Sequence, residues 1–398
     1  MDKLIYHFGG TGADGDSSMK EILGSKGANL AQMCRLGLPI PAGFTISSDL
    51  CRKYLQDPES VFTKTFEIEL LKSVEQLEHK SGKKFGCNKN PLLLSVRSGA
   101  SVSMPGMMDT ILNLGMNDEV AEALAKNTSN PCFAYDSYRR FLQMYGSVVL
   151  GISSYIFEEA FDNHHQGNKD IVENNIDDLH KIIAEFKAII SKHIKKDFES
   201  DPVKQLKSAI KAVLESWTCP RAVIYRKLNK LDDSMGTAVN IQSMVFGNKG
   251  VDSATGVIFT RSPSTGKKEI FGEFLINAQG EDVVSGTHTP RPVLSQGNGD
   301  SMQEKMPELY KELTIICGKL EFYFRDMQDI EFTIEEGNLY ILQTRRGKRS
   351  AASSVKIAVD MVKENMMSKQ DALMQIDPES LNQLLHTSID YSHNPKII

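Results

Sequence analysis

Six cysteines among 398 residues are too few and too scattered to staple a fold or hold a zinc ion. Cys34, Cys51, Cys87, Cys132, Cys219 and Cys317 include no Cys-x-x-Cys pair and no His/Cys cluster at zinc spacing, a pattern of reduced intracellular thiols. A basic excess is lacking too, since 46 Lys+Arg against 51 Asp+Glu leave a formal charge of -5. That gives no electrostatic footprint for nucleic acid or an anionic membrane. No apolar run reaches the ~18 residues of a membrane helix, and Met1 to Gly10 has no basic segment leading into an apolar one. These absences predict a cytoplasmic protein with neither nucleic-acid nor membrane partners. The Gly-x-x-x-x-Gly-Lys-Ser/Thr phosphate loop is missing as well.

What is present is a hydrophobic content of 40%, enough for two or three cored units. Up to residue 112 short apolar runs such as Gly43 to Ile46 and Leu92 to Val96 alternate with helical stretches, and Ser47-Ser48 reads as a helix cap. From 113 to 235 strand signals nearly vanish; Ile176, Leu179, Ile182, Ile183, Phe186, Ile189 and Ile190 form one helical stripe, and His164-His165 falls on a polar loop. Strand texture returns over 236–346, in Thr237 to Phe246, Thr255 to Thr260, Glu269 to Asn277 and Asp329 to Arg345, with a helix around Met306 to Phe324. Residues 347–398 read as short helices and a polar tail, His393-Asn394-Pro395, the stub of a linker. The expected fold class is α+β: two α/β lobes, an inserted helical subdomain and a helical linker at the C-terminus.

Asp329 to Arg345 alternates strictly, with Ile330, Phe332 and Ile334 on one face and Asp329 and Glu331 on the other. A three-residue loop at Glu336-Gly337-Asn338 would pair Glu331 with Gln343 and Asp329 with Arg345; a two-residue loop would break that constellation. Carboxylates two apart on a strand suit magnesium, and Arg345 suits the charge of a transferring phosphoryl group. A hairpin whose polar face is merely wet has the same alternation. Ser95 to Asp109 is an apolar strand ending in Arg97 and a Ser/Gly loop whose N–H groups can cradle phosphate oxygens, although an ordinary turn reads alike. Lys26, between Gly24 and Gly27, is either a phosphate-reaching charge or a surface lysine. Gln242 to Gly247 is either an adenine-reading strand with Met244 and Val245 as apolar walls or a plain core strand. Glu281, in the polar stretch Ile276 to Gly286, is a further magnesium candidate or part of a turn. His288, in Gly286-Thr287-His288-Thr289-Pro290, has no assignable base and reads as a loop histidine rather than a nucleophile.

Together, the order and wording of Gly24 to Leu30, Gly37 to Phe44, Ser95 to Asp109, Met244 to Gly247, Asn277 to Ser285 and Met327 to Arg345 resemble pyruvate, phosphate dikinases from Tyr6 to about Leu385. The most specific piece is Ser103-Met104-Pro105-Gly106-Met107-Met108-Asp109-Thr110, which argues against phosphoenolpyruvate synthases and antibiotic phosphotransferases. The resemblance implies an ATP-grasp fold whose two lobes hold ATP and pass phosphoryl groups to a histidine on a separate swivelling domain, which then phosphorylates pyruvate on a third. By position it gives Lys26, Arg97 and Arg345 to the triphosphate, Asp329 and Glu331 to magnesium, and Gln343 to phosphate positioning. It adds Ser98, Gly99, Ser101, Met104, Gln242, Met244, Val245 and Glu281 to the ATP contacts. Arg97, Gln343 and Arg345 would be the catalytic groups, with ATP and Mg2+ as substrate and cofactor.

The carrier histidine's Gly/Thr/Ser-His motif and the pyruvate-binding barrel are not found in this sequence. The expectation is therefore a phosphoryl-donating part working with a phosphohistidine domain in trans, monomeric because the full-length relatives dimerise through the barrel. A non-catalytic nucleotide-binding regulator is the reading of a different class. Ser25, Lys249, Val251, Ala254 and His288 depart from the family pattern, and bulkier side chains in a phosphate-touching turn would restrict its backbone.

Overall fold

The computed structural model describes residues 3–10, 12–104, 106–165, 175–285, 288–297 and 299–385. Pro105, Gly286, Thr287, the His165 side chain and the tail around Pro395 lie outside the described residues. The architecture is mixed α+β, and the chain divides into two compact units. The first comprises Met1–Ala254, Ile276–Gln279 and Thr333–Gln343; the second comprises Thr255–Leu275, Gly280–Phe332 and Thr344–Ile398.

The first unit is built on a six-stranded sheet of β1 (Ile5–Gly9), β2 (Gly12–Ala13), β3 (Gly43–Ile46), β6 (Leu94–Gly99), β7 (Thr110–Leu114) and β8 (Ala238–Ser243), with β4 (Lys84–Phe85) and β5 (Pro91–Leu92) as a separate pair. Its order is β2-β1-β3-β8-β6-β7, antiparallel at every pairing. The side-chain period of two gives the sheet its polarity. Phe44, Ile241 and Val96 sit opposite one another across β3, β8 and β6 and are fully buried, while the next row, Thr45, Asn240 and Arg97, is polar. The apolar side packs into one core with Leu70, Val74 and Leu77 of helix Lys64–Ser81, and with Phe141, Phe186, Leu206 and Ile210 of the helical segment. Each such buried side chain contributes about 1.5–3 kcal/mol relative to exposure.

The helical stripe expected around Ile182 is the buried face of helix Ile176–Ile194, where Leu179, Ile182, Ile183, Phe186 and Ile190 point inward. His164 is not on a loop. It ends helix Ser154–His165, with Nε2 2.7 Å from Glu185 Oε2. Ser47 occupies the N-cap position of helix Ser48–Gln56, yet its hydroxyl makes no capping bond. Strand β8, grouped by sequence order with the second lobe, lies inside the first sheet between β3 and β6. Alternation identifies a strand but not its neighbours, and the hydrogen bond from Thr45 Oγ1 to Asn240 Oδ1 (2.8 Å) crosses 195 residues.

The second unit carries most of the five-stranded sheet β11-β10-β9-β12-β13, made of β9 (Ala254–Phe259), β10 (Phe271–Ile276), β11 (Arg291–Pro292), β12 (Gln328–Glu335) and β13 (Asn338–Arg346). Helix Pro307–Phe324 buries Leu313, Ile316, Cys317 and Leu320. Arg261, with no exposed surface, donates to both carboxylate oxygens of Glu321 (2.8 and 2.9 Å) and to Glu364 (2.8 and 3.1 Å). This ties the end of β9 to helix Pro307–Phe324 and to the residue capping helix Ala351–Lys363. Met327, Ile357, Met361 and Met367 form a small apolar cluster beside it.

Candidate functional site

In the first unit the polar row Thr45–Asn240–Arg97 lies under helix Lys20–Arg35, α1, which breaks at Gly24 (φ 67°, ψ 167°) and restarts with Ser25 and Lys26. The restart is seated on the end of β6, where the Ser25 N–H and hydroxyl both donate to the Ala100 carbonyl, at 2.8 and 3.0 Å. Glycines make the contact possible. A Cβ at Gly27 would lie 2.8 Å from both Asn240 Oδ1 and Thr45 Oγ1, and one at Gly99 would lie 2.5 Å from Asn240 Nδ2. Lys26 thus stands beside Gly99, its Cβ 3.6 Å from the position a Gly99 Cβ would take. Half-buried Arg97 opposes Asn240 on β8 and Thr110 on β7.

Lys26, Arg97, Ser98 and Gly99 are therefore drawn to one end of β6, with Ser101 following. The Gly99 N–H is held by Thr237 Oγ1 at 3.1 Å, and Ser101 Oγ is buried with no hydrogen-bond partner. A helix restart, two cationic side chains and a Ser/Gly loop thus come together at that end of β6. Ser25 fits despite its departure from the family pattern, because the left-handed backbone is at Gly24 and the serine hydroxyl gains the Ala100 carbonyl.

Met244 and Val245 follow β8 at its other end, where Ser243 opposes Leu94. Five residues of strand separate that end from Gly99, about 17 Å at antiparallel rise. Met244 and Val245 line a cavity of about 1010 Å³ with Ile40, Pro41, Ala42 and Tyr340. Gln242 is 3% exposed and its Nε2 donates to the Pro41 carbonyl at 2.9 Å. Met104 is buried in the apolar core. Lys249 pairs with Glu335 (2.6 Å) and Glu336 (3.0 Å), Ala254 is buried in β9, Val251 is exposed, and the turn keeps Gly250 at φ 145°. The departures at 249, 251 and 254 thus leave that turn's positive-φ position a glycine.

Asp329 and Arg345, both in the second unit, come together from β12 and β13, with Arg345 Nε donating to Asp329 Oδ2 at 2.7 Å. The loop is Glu336-Gly337, two residues with φ 50° and 76°, not the three-residue loop that would oppose Asp329 and Arg345. Positive φ at both positions is the type I′ geometry that matches strand twist. The long Arg345 side chain still closes the ion pair. Asp329 is 5% exposed and its Oδ1 is buried with no hydrogen-bond partner. Burial pushes its carboxyl above the ordinary value and Glu331 adds to this, with Arg345 and Lys348 opposing. Glu331 is half-buried on the same strand, and Thr344 Oγ1 donates to Gln328 Oε1 at 3.0 Å. Gln343, grouped with the first unit, is 9% exposed. Glu281 lies half-buried in the short helix Gly280–Ser285, and His288 is half-buried beyond it.

Asn240 and Thr45, which seat α1 beside Gly27, have a signal in the sequence only as the polar interruption of otherwise apolar strands. Among the described residues no three His, Cys, Asp or Glu gather as a metal cluster, and no helix is long and apolar enough to cross a membrane.

The chain is of the class of mixed α+β nucleotide-binding domains, as its match to an AMP/ATP-binding domain shows. The chain belongs to the pyruvate phosphate dikinase family, whose AMP/ATP-binding domain it matches over residues 20–61, 58–308 and 301–366. It is 59% identical over 398 residues to the pyruvate, phosphate dikinase of Rickettsia prowazekii (strain Madrid E), covering 98% of this chain and 44% of that protein. The Clostridium symbiosum enzyme is 48% identical over 393 residues, with 98% and 44% covered. The chloroplastic pyruvate, phosphate dikinase 1 of Zea mays is 47% identical over 390 residues, with 98% and 40% covered. The chain thus spans less than half the length of these relatives.

Proposed function

We propose that this chain is the ATP-binding, phosphoryl-donating domain, of ATP-grasp fold, in a pyruvate, phosphate dikinase. It would serve the conversion of ATP, pyruvate and phosphate into AMP, phosphoenolpyruvate and diphosphate through a phosphohistidine on another domain. Within the first unit, Lys26, Arg97 and the Ser98–Ser101 backbone would serve phosphates, and Met244 and Val245 a base. Within the second, Asp329, Glu331 and Arg345 would serve a metal and phosphate charge. Phosphoryl transfer is mainly positioning plus neutralisation of spread negative charge, so the domain needs no nucleophile of its own.

The observation that carries this reading is Asp329: a buried carboxylate with one oxygen held by Arg345 and the other unsatisfied. Such an oxygen suits a cation. Two carboxylates without a third fit magnesium, which is commonly held by one or two carboxylates and completed by phosphates and water, better than a metal caged by protein alone. When bound, magnesium would neutralise phosphate charge. Gln343 and Glu281 are assigned by family position, as phosphate-positioning and accessory groups. Six unpaired cysteines support a cytoplasmic setting.

The test is transfer in trans. The chain is mixed with ATP labelled in its β and γ phosphates and with the separately produced remainder of a relative. Acid-labile label appearing on that remainder only in the presence of the chain supports the reading. No transfer to a remainder that accepts label from its own ATP-binding domain would refute it.

A further inference from the structure

Helix Pro220–Leu228 grips the loop between β6 and β7 from one side. Arg221 Nε donates to the Met107 carbonyl at 3.2 Å, and its guanidinium also pairs with Asp109. Cys219 Sγ donates to the same Met107 carbonyl at 3.5 Å, and the Tyr225 hydroxyl donates to the Ser103 carbonyl at 3.4 Å. Three side chains from one short stretch therefore hold the loop at Ser103 and again at Met107 and Asp109. Two of those points are main-chain carbonyls, so the bonds fix the backbone path itself.

The gripping helix is in turn immobilised. Arg226, 2% exposed, pairs with Asp233 at 2.6 Å, donates to the Trp217 carbonyl at 2.7 Å and lies 4.0 Å over the Trp217 ring. Trp217 Nε1 closes the knot by donating to the Asp233 carbonyl at 2.9 Å. A rigid support under a half-exposed arginine is what separates a positioning contact from an ordinary surface ion pair, which contributes little.

We propose that Arg221 is a positioning residue for nucleotide binding: it fixes the downstream arm of the loop whose upstream residues, Ser98 to Ser101, form the phosphate cradle. This rests on the nucleotide reading above and extends it to a residue outside the cradle. Arginine suits the task because its planar fork satisfies a carbonyl and a carboxylate together, whereas lysine offers a single point charge.

The experiment uses the full chain with Arg221→Ala, Arg221→Lys and Asp109→Asn, read in two ways. Amide hydrogen exchange without nucleotide should quicken about tenfold over Gly106 to Asp109 in Arg221→Ala and Asp109→Asn, and remain unchanged in helix Ile176–Ile194. Calorimetric titration with a non-hydrolysable ATP analogue and magnesium should show about tenfold weaker binding for Arg221→Ala, with Arg221→Lys between it and the wild type. Unchanged emission from Trp217, the chain's single tryptophan, certifies that each variant is folded. Exchange that does not respond to Arg221→Ala overturns the tether, and quickened exchange with unaltered affinity overturns its role in binding. A wild-type chain that binds no analogue removes the nucleotide reading and this role with it, while the exchange arm still decides whether Arg221 holds the loop.

Discussion

Gly24 and Gly99 meet backbone to backbone: a Cβ on Gly24 would lie 1.8 Å from the Gly99 carbonyl oxygen. The contact seats the second half of α1, and with it Lys26, on the end of β6. It also explains why Gly24 occupies φ 67°, ψ 167°, a region open to glycine almost alone.

Gly24→Ala should therefore both strain the backbone and push the helix off the strand. The backbone alone costs about 1–3 kcal/mol, and the clash adds to it. Urea denaturation should show at least that loss, and the folded fraction should bind ATP analogue more weakly. A Gly24→Ala protein with wild-type stability would show that the close approach is not made.

Arg261 predicts a different failure. It is fully buried against Glu321 and Glu364, and removing one partner of such a cluster leaves buried charge uncompensated, at a cost of about 3–5 kcal/mol. Arg261→Met should lower stability by that order, and Glu321→Met introduced alongside it should recover part of the loss. Denaturation midpoints of the two variants decide the matter; an Arg261→Met chain as stable as the wild type would mean the cluster contributes nothing.

Asp329 predicts a pH dependence. Its folded-state carboxyl is raised above the ordinary value of 3.8 by burial, so the fold prefers it protonated. The associated stability is full below that ordinary value and is lost as pH rises through the raised one. At neutral pH the ionised Asp329 therefore costs stability, and a bound cation would offset that cost. Asp329→Asn, which keeps an acceptor for Arg345, should raise the stability of the nucleotide-free chain at pH 7. That advantage should shrink as pH falls through the raised value toward 3.8. A stability gap that widens on acidification would reverse the sign of the argument.

Much of this was legible in the sequence because it is written in local periods. The stripe from Leu179 to Ile190 and the alternation from Asp329 to Ile334 are each carried by side chains of one element, so spacing alone reveals them. The loop of the hairpin was not, since Glu336-Gly337-Asn338 admits two or three loop residues until the φ angles at Glu336 and Gly337 select two. The position of β8 was hidden for another reason. Its place between β3 and β6 depends on partners about 150 to 200 residues upstream. Arg261 and Arg221 have the same character, as their meaning lies in Glu321, Glu364, Met107 and Asp109, none of them neighbours in sequence. Lys26, Arg97, Asp329 and Arg345 are named by family resemblance, while the bond of Gln242 to Pro41 and the place of Met104 in the core depend on packing that no local pattern displays.

The proposed site puts magnesium, bound with ATP, on the strand of Asp329 and Glu331. Calorimetric titration with a non-hydrolysable ATP analogue, with and without magnesium, on the wild type, Asp329→Ala and Glu331→Ala is the measurement that decides it. Magnesium should strengthen binding, and each substitution should abolish that gain while leaving the magnesium-independent part nearly intact. Magnesium-strengthened binding that survives both substitutions, or no binding in any condition, would contradict it.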